Sequence, residues 1–297
     1  MNGEQIDDKQ RLDELAKEFR WVITDTICRA GSGHLGGSLS LVETIITLYF
    51  RIMNLNPQDP RWEERDRFIL SKGHAGPVLY SALAYRGFFP KNWLPTLNKN
   101  GTRLPSHVDQ VKTPGVDMTA GSLGQGLSCA VGMALAGKLK NKKYRVFCVV
   151  GDGESQEGQI WEAAMFAAQH KLDNLVAITD YNKMQIDGTL EEVISLEPIV
   201  EKWRAFGWEV FEMNGHDWDD IHETIRKAMD VKEKPAMIIA HTVKAKGNVC
   251  FEGQVSCHHI KVPDEDEYRR VLEGVCYFQE LRLPYESKEK EPQNESS

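Results

Sequence analysis

The sequence predicts an α/β fold, a parallel sheet with helices on both faces. Three observations carry that expectation. Strand-like and helix-like segments alternate between residues 127 and 240, the pattern of a parallel sheet covered on both sides. Glycine loops follow the segments that read as strands. The chain, 297 residues with 41% hydrophobic side chains and a mean hydropathy of −0.43, is long and apolar enough to bury one large core.

In chain order, Leu12, Leu15, Ala16, Phe19, Val22, Ile23 and Ile27 recur at helical spacing, so an amphipathic helix leads into GSGHLGGS. A second helix is expected over residues 39–53. After a turn at 56–61, the short apolar run of RDRFILSKGHAGPVLY ends in a glycine and histidine loop and resumes as helix through Tyr85. Residues 97–125, rich in Gly, Pro and Thr, read as a long loop forming a working surface. Helices are then expected at 127–140 and 157–170, strands at 144–150, 175–179, 208–213 and 236–240, and a helix capped by Asp217. The 157–170 helix is expected to bury Trp161, Ala164, Met165 and Ala168. The chain divides into one α/β domain, residues 1–275, and a polar tail, 276–297, whose end ESKEKEPQNESS has a disordered composition.

Thirty-six basic against 44 acidic residues give a formal charge of −8, against nucleic-acid or anionic-membrane partners. No apolar run approaches the ~18 residues of a membrane helix, and the acidic start MNGEQIDDKQRLDE lacks the order of a signal peptide, so a reducing cytoplasm is expected. Six cysteines, Cys28, Cys129, Cys148, Cys250, Cys257 and Cys276, follow no zinc or C-x-x-C spacing and read as buried thiols.

GSGHLG matches G-x-G-x-x-G but follows a helix rather than a buried strand, so it is not read as a dinucleotide fingerprint. It is either an anion-binding loop presenting His34 or a plain turn. Gly151-Asp152-Gly153 ends one strand and Asp180-Tyr181-Asn182 the next, about 30 residues on, as in a βαβ unit. The Asp152 carboxylate and Asn182 amide are therefore neighbouring hard oxygen ligands, which suit magnesium on a diphosphate. Four of nine histidines, His34, His74, His107 and His258, sit in Gly- or Pro-rich loops and suggest a polar pocket handling hydroxyls and protons.

The strings GHLGGSLS, DRFILSKGHA, TPGVDMTAGSLGQGLS, GDGESQEGQIWEA and NKMQIDG, in that order from Gly31 to His259, closely resemble the N-terminal, diphosphate-binding domain of transketolase. The resemblance implies thiamine diphosphate and magnesium as cofactors. It makes Asp152, Asn182 and the carbonyl of Met184 the magnesium ligands, and His74, Gly121, Ser122, Leu123, Gly153, Asn182 and His258 the cofactor-binding positions. His34 and His258 match the pair that shuttles protons on sugar hydroxyls, His107 a donor-binding histidine, and Glu157 and Glu162 carboxylates at a dimer interface. Two departures stand out: LPSHVD around His107 where G-H-P is common, and C-H-H at 257–259 where W-H-G is common, with His258 aligned to the family histidine.

The chain ends where the family's pyrimidine-binding domain would begin. The resemblance therefore implies the N-terminal subunit of a split transketolase, active only with a C-terminal partner subunit, as a two-plus-two heterotetramer. It would pass a two-carbon ketol unit from a ketose, phosphorylated or similar, to an aldose. Two alternatives are an α subunit of a 2-oxo-acid dehydrogenase, disfavoured by GSLGQG and the histidine set, and a non-catalytic regulatory paralogue, disfavoured by the intact Asp152, Asn182 and histidines. The sugars, and whether the pathway is catabolic or pentose phosphate, stay open at this point.

Overall fold

Asp8 accepts a hydrogen bond from the Gln10 amide at 3.0 Å and so caps the first helix, α1 (Lys9–Arg29). The helix buries Leu12, Leu15, Phe19, Ile23 and Ile27 along one stripe. The computed structural model describes residues 6–275; Cys276 and the expected tail lie outside them.

The chain then forms β1 (Ser32–Gly33), α2 (Gly36–Leu39), α3 (Val42–Thr47), β2 (Arg67–Leu70), α4 (Gly76–Arg86), α5 (Gln125–Leu139), β3 (Val146–Gly151), α6 (Gly158–Gln169) and β4 (Leu175–Tyr181). It continues through α7 (Ile199–Ala205), β5 (Glu209–Asn214), α8 (Trp218–Asp230), β6 (Ala236–His241), β7 (Ile260–Lys261) and α9 (Glu265–Glu273). Five strands make one wholly parallel sheet in the order β2-β3-β4-β6-β5. Phe147, Val149, Val176, Ile178, Ile238 and Ala240 pack against α1, α3, α4 and α8 on one face. Val146, Cys148, Val150, Leu175, Ala177, Met237 and Ile239 pack against α5, α6 and α7 on the other. Both faces are covered, so β3 and β4 are apolar or buried throughout rather than alternating.

The expected four strands are present within one or two residues at their ends, with β2 as a fifth, and Asp217 caps α8 through bonds from the Asp219 (3.0 Å) and Asp220 (2.9 Å) amides. Several expectations need correction. The helix expected over 39–53 is broken: Ser40 turns its hydroxyl inward to the Gly37 carbonyl (3.2 Å) and Asp180 (2.7 Å), and after α3 the chain widens into a π-helical turn, Leu48–Ile52. The helix α6 buries Ile160, Ala163, Ala164 and Ala167, while Met165 is 56% exposed, because the small residues give the close approach to the sheet. Among the cysteines, Cys28, Cys148 and Cys257 are buried, Cys250 is partly exposed and Cys129 lies on the outer side of α5. The short helices α7 and α9 and the two-stranded antiparallel pair β1–β7 carry too little apolar sequence to be read in advance. Among the described residues, no helix is long and apolar enough to cross a membrane.

Trp203 is fully buried between Trp161 and Trp208, each with ring centroids 5.0 Å away. Trp203→Ala is expected to cost about 3–5 kcal/mol and Asp217→Ala, which removes only a cap, about 1 kcal/mol. Urea unfolding of the two variants checks the ranking, and equal losses would contradict this core assignment.

Candidate active site

The carboxyl ends of β2, β3, β4 and β6 lie side by side, where an open α/β sheet offers its ligand crevice. Asp152 follows β3. Its two carboxylate oxygens accept from the backbone amides of Gly153 (2.7 Å) and Lys183 (2.6 Å), which ties the β3 tip to the loop after β4. Asn182 stands in that loop with its side-chain oxygen on the Met184 amide at 3.2 Å and its NH₂ on Asp180 at 3.2 Å. The Met184 carbonyl accepts from Lys244 Nζ at 3.1 Å. Burial, then the nearby charge of Asp180, pushes the Asp152 carboxyl up to about 7.

Beneath this loop is a group that sequence reasoning missed. Lys72 and Asp180 form an ion pair with side-chain exposures of 3% and 0%. Lys72 also donates to the Gly37 carbonyl (3.0 Å), and Asp180 accepts from Ser40, Thr242 and Asn182. Burial raises the Asp180 carboxyl, but the Lys72 charge and these donors more than offset it, leaving it below the ordinary carboxylate range. The SKGH string held the signal for Lys72; that its ammonium points inward is a tertiary fact.

The four loop histidines converge, and a fifth joins them. His34 is the centre, with ring centroids at 5.1 Å to His74, 5.6 Å to His107, 5.4 Å to His258 and 4.7 Å to His259. His74 also lies 5.2 Å from His258. Burial, then His259 and His107, lowers His34 to about 4. Burial, then Lys244 and His34, lowers His258 to about 3. His74 falls well below its ordinary value through burial and Lys72, and His107 falls through burial. Near neutral pH these four rings are therefore uncharged, each with one N–H donor and one nitrogen acceptor.

The loop of Gly121, Ser122 and Leu123 borders the rings. A Cβ on Gly73 would strike Ala120 backbone at 2.8 Å, so only glycine lets this loop lie over the β2 tip. Gly121 stands against His107, where an added Cβ would sit 3.7 Å from its ring. The loop is tied down by Glu154, a buried carboxylate that accepts from Ser71, the Gly124 amide (2.8 Å) and the Gly151 amide (2.9 Å). Gly153 adjoins Gln185, whose side-chain NH₂ is buried without a partner. Glu157, the residue before α6, and Glu162 within it are both exposed.

The donor set fits a hard divalent cation beside a polyanion. Asp152 is a buried carboxylate hydrogen-bonded by two backbone amides, with an amide oxygen and a backbone carbonyl on the same loop. The orphaned Gln185 donor and the inward-turned ammonium groups of Lys72 and Lys244 place N–H donors in the crevice.

The lowered histidines fix the sign of a pH effect. The stability from holding His34 and His258 neutral is complete above the unfolded value of 6.5 and is lost as pH falls toward about 4 and about 3, because the unfolded chain takes up the protons first. The double variant His34→Gln, His258→Gln is expected to lose less melting temperature than the parent between pH ~7.5 and ~4.5. Equal losses would contradict these burial effects.

Comparison with known proteins agrees with this geometry. The family model described as "Transketolase, thiamine diphosphate binding domain" matches residues 12–277. The chain is 51% identical over 265 residues to the 6-deoxy-6-sulfo-D-fructose transketolase subunit SqwG of Clostridium sp. (strain MSTE9), covering 89% of this chain and 95% of that one. It is 42% identical over 266 residues to a subunit of the apulose-4-phosphate transketolase of Phocaeicola vulgatus, covering 90% and 94%. Among solved structures, a transketolase from Campylobacter jejuni subsp. jejuni superposes with a TM-score of 0.84 at 33% identity, over 91% of this chain and 43% of that one. On its sheet order, its site and these likenesses, the chain belongs to the transketolase family, within the thiamine diphosphate-binding part of the fold.

Proposed function

We propose that this chain is the N-terminal subunit of a two-component transketolase that moves a two-carbon ketol unit from a sulfonated or phosphorylated ketose to an aldose. The observation that carries the reading is the packing of uncharged histidines around His34 beside the Asp152–Asn182–Met184 loop. The substrate class is suggested by the two relatives, named for a sulfo-fructose and for apulose 4-phosphate.

Asp152, Asn182 and the Met184 carbonyl would hold magnesium, and His74, Gly121, Ser122, Leu123, Gly153 and His258 would border thiamine diphosphate. Bound there, the cofactor supplies a nucleophilic thiazolium carbon for the ketol unit. The chain's own residues do the rest. His34 and His258, uncharged at neutral pH, can take a proton from a sugar hydroxyl and return it to an acceptor oxygen. His107, within the long 97–125 loop, would hold the donor. Lys72 and Lys244 set a positive potential that favours the anionic diphosphate.

A C-terminal partner subunit would contribute the pyrimidine-binding domain, and a two-plus-two heterotetramer in the cytoplasm is the assembly we favour. Two observations support a partner. Both relatives named as subunits are matched over 94–95% of their own lengths. Beside the metal loop, Ile186 and Ile194 are 65% and 58% exposed, apolar side chains that a second chain would cover.

Asp152→Ala is expected to lower magnesium-dependent thiamine diphosphate affinity in the assembled complex by roughly 10² or more, the sole charged ligand being lost. Calorimetric titration of cofactor with and without magnesium checks this, and an unchanged affinity refutes the ligand assignment. His34→Ala and His258→Ala are expected to reduce ketol transfer by roughly 10² or more. The whole reading is tested by titrating the partner into this chain with cofactor, magnesium, ketose donors and aldehyde acceptors. Activity should saturate near one partner per chain; robust transfer without any partner would overturn it.

A further inference from the structure

We propose that His259 is a substrate-contacting residue of this site, one that sets donor affinity from the rim of the histidine cluster. The inference rests on the reading above and adds a residue to it.

The position of His259 is built into the backbone. The two-residue strands β1 and β7 pair antiparallel with Gly33 opposite Ile260 and Ser32 opposite Lys261. The register carried one step further sets His34 opposite His259, and their rings meet edge to face at 4.7 Å, the shortest spacing that His34 makes in the cluster. Gly31 O accepts from the Val262 amide at 2.8 Å, and Ile260, at 4% exposure, anchors the strand, so the pair is held from both sides.

Exposure separates His259 from the rest. His34, His74, His107 and His258 are each partly buried, whereas His259 is exposed. Of the rings that meet at His34 it is the exposed one, so its polar atoms can be reached by a polyhydroxylated donor bound at His34. An exposed imidazole can both donate to and accept from a sugar hydroxyl. His258 and His259 thus divide the work: the inner ring lies against both His34 and His74, the outer ring against His34 alone.

The test uses the reconstituted complex with thiamine diphosphate and magnesium, an aldehyde acceptor, and two donors, 6-deoxy-6-sulfo-D-fructose and fructose 6-phosphate. For His259→Gly, the KM of the better donor should rise about tenfold, the scale of one lost hydrogen bond, with kcat and cofactor affinity within about twofold of the parent. His259→Gln, which keeps a donor and an acceptor, should recover most of the loss. An unchanged KM overturns the inference, as does a fall in kcat or cofactor affinity that matches the change in KM, since either would make His259 a surface group or a mere support for His34. If the parent complex turns over neither donor, the proposed function itself fails and takes the inference with it. Parent activity with an indifferent His259→Gly variant sinks the inference alone.

Discussion

Lys72 and Asp180 carry opposite charges where almost no water reaches them, and the site is organised around meeting that cost. A buried ion pair repays its desolvation only when the remaining donors and acceptors are also satisfied. Here the Gly37 carbonyl accepts a second hydrogen bond from Lys72, and Ser40, Thr242 and Asn182 donate to the Asp180 oxygens. The pair and its partners come from α2 and the residue that follows it, the tip of β2, the end of β4 with the loop after it, and the tip of β6. One electrostatic requirement therefore gathers four segments distant in sequence and interrupts the helix expected at 39–53, because the Ser40 side chain serves the pair.

Two carboxylates only 28 positions apart in sequence consequently behave oppositely. Asp180 has an ammonium and three further donors and stays ionised. Asp152, buried almost as deeply but served only by two amides, is pushed up to about 7 by burial and by the Asp180 charge. The difference leaves Asp152 with the weaker local compensation and Asp180 as part of the scaffold. Neighbouring carboxylates set apart by their surroundings are a common way to divide roles within one site.

The same positive charges shape the histidines. Burial and the Lys72 charge disfavour imidazolium at His74, burial and Lys244 do so at His258, and burial with His259 and His107 does so at His34. A ring kept neutral at pH 7 has a nitrogen free to accept a hydrogen bond from a hydroxyl. Each imidazole also faces another, so protonating one raises the cost for its neighbours. The cluster thus suits a single proton moving among several acceptors.

The sheet is legible in the sequence, and so are several of the residues that meet at the strand tips. The alternation of apolar runs with helical periodicity is a local property, so the strands from Val146 to His241 and the Asp217 cap were readable, as were Asp152 and Asn182 at successive strand ends. The loop histidines were readable too, because their glycine and proline neighbours offer no packing reason for an imidazole. Which side chains turn inward depends on contacts distant in sequence. Nothing local tells that Lys72 points under the sheet tips, that α6 presents its alanines rather than Met165 to the core, or that a two-residue strand pairs with Ser32–Gly33 and sets His259 against His34. Each of those depends on partners tens to hundreds of residues away, and a burial or pairing energy exists only once the chain has brought them together.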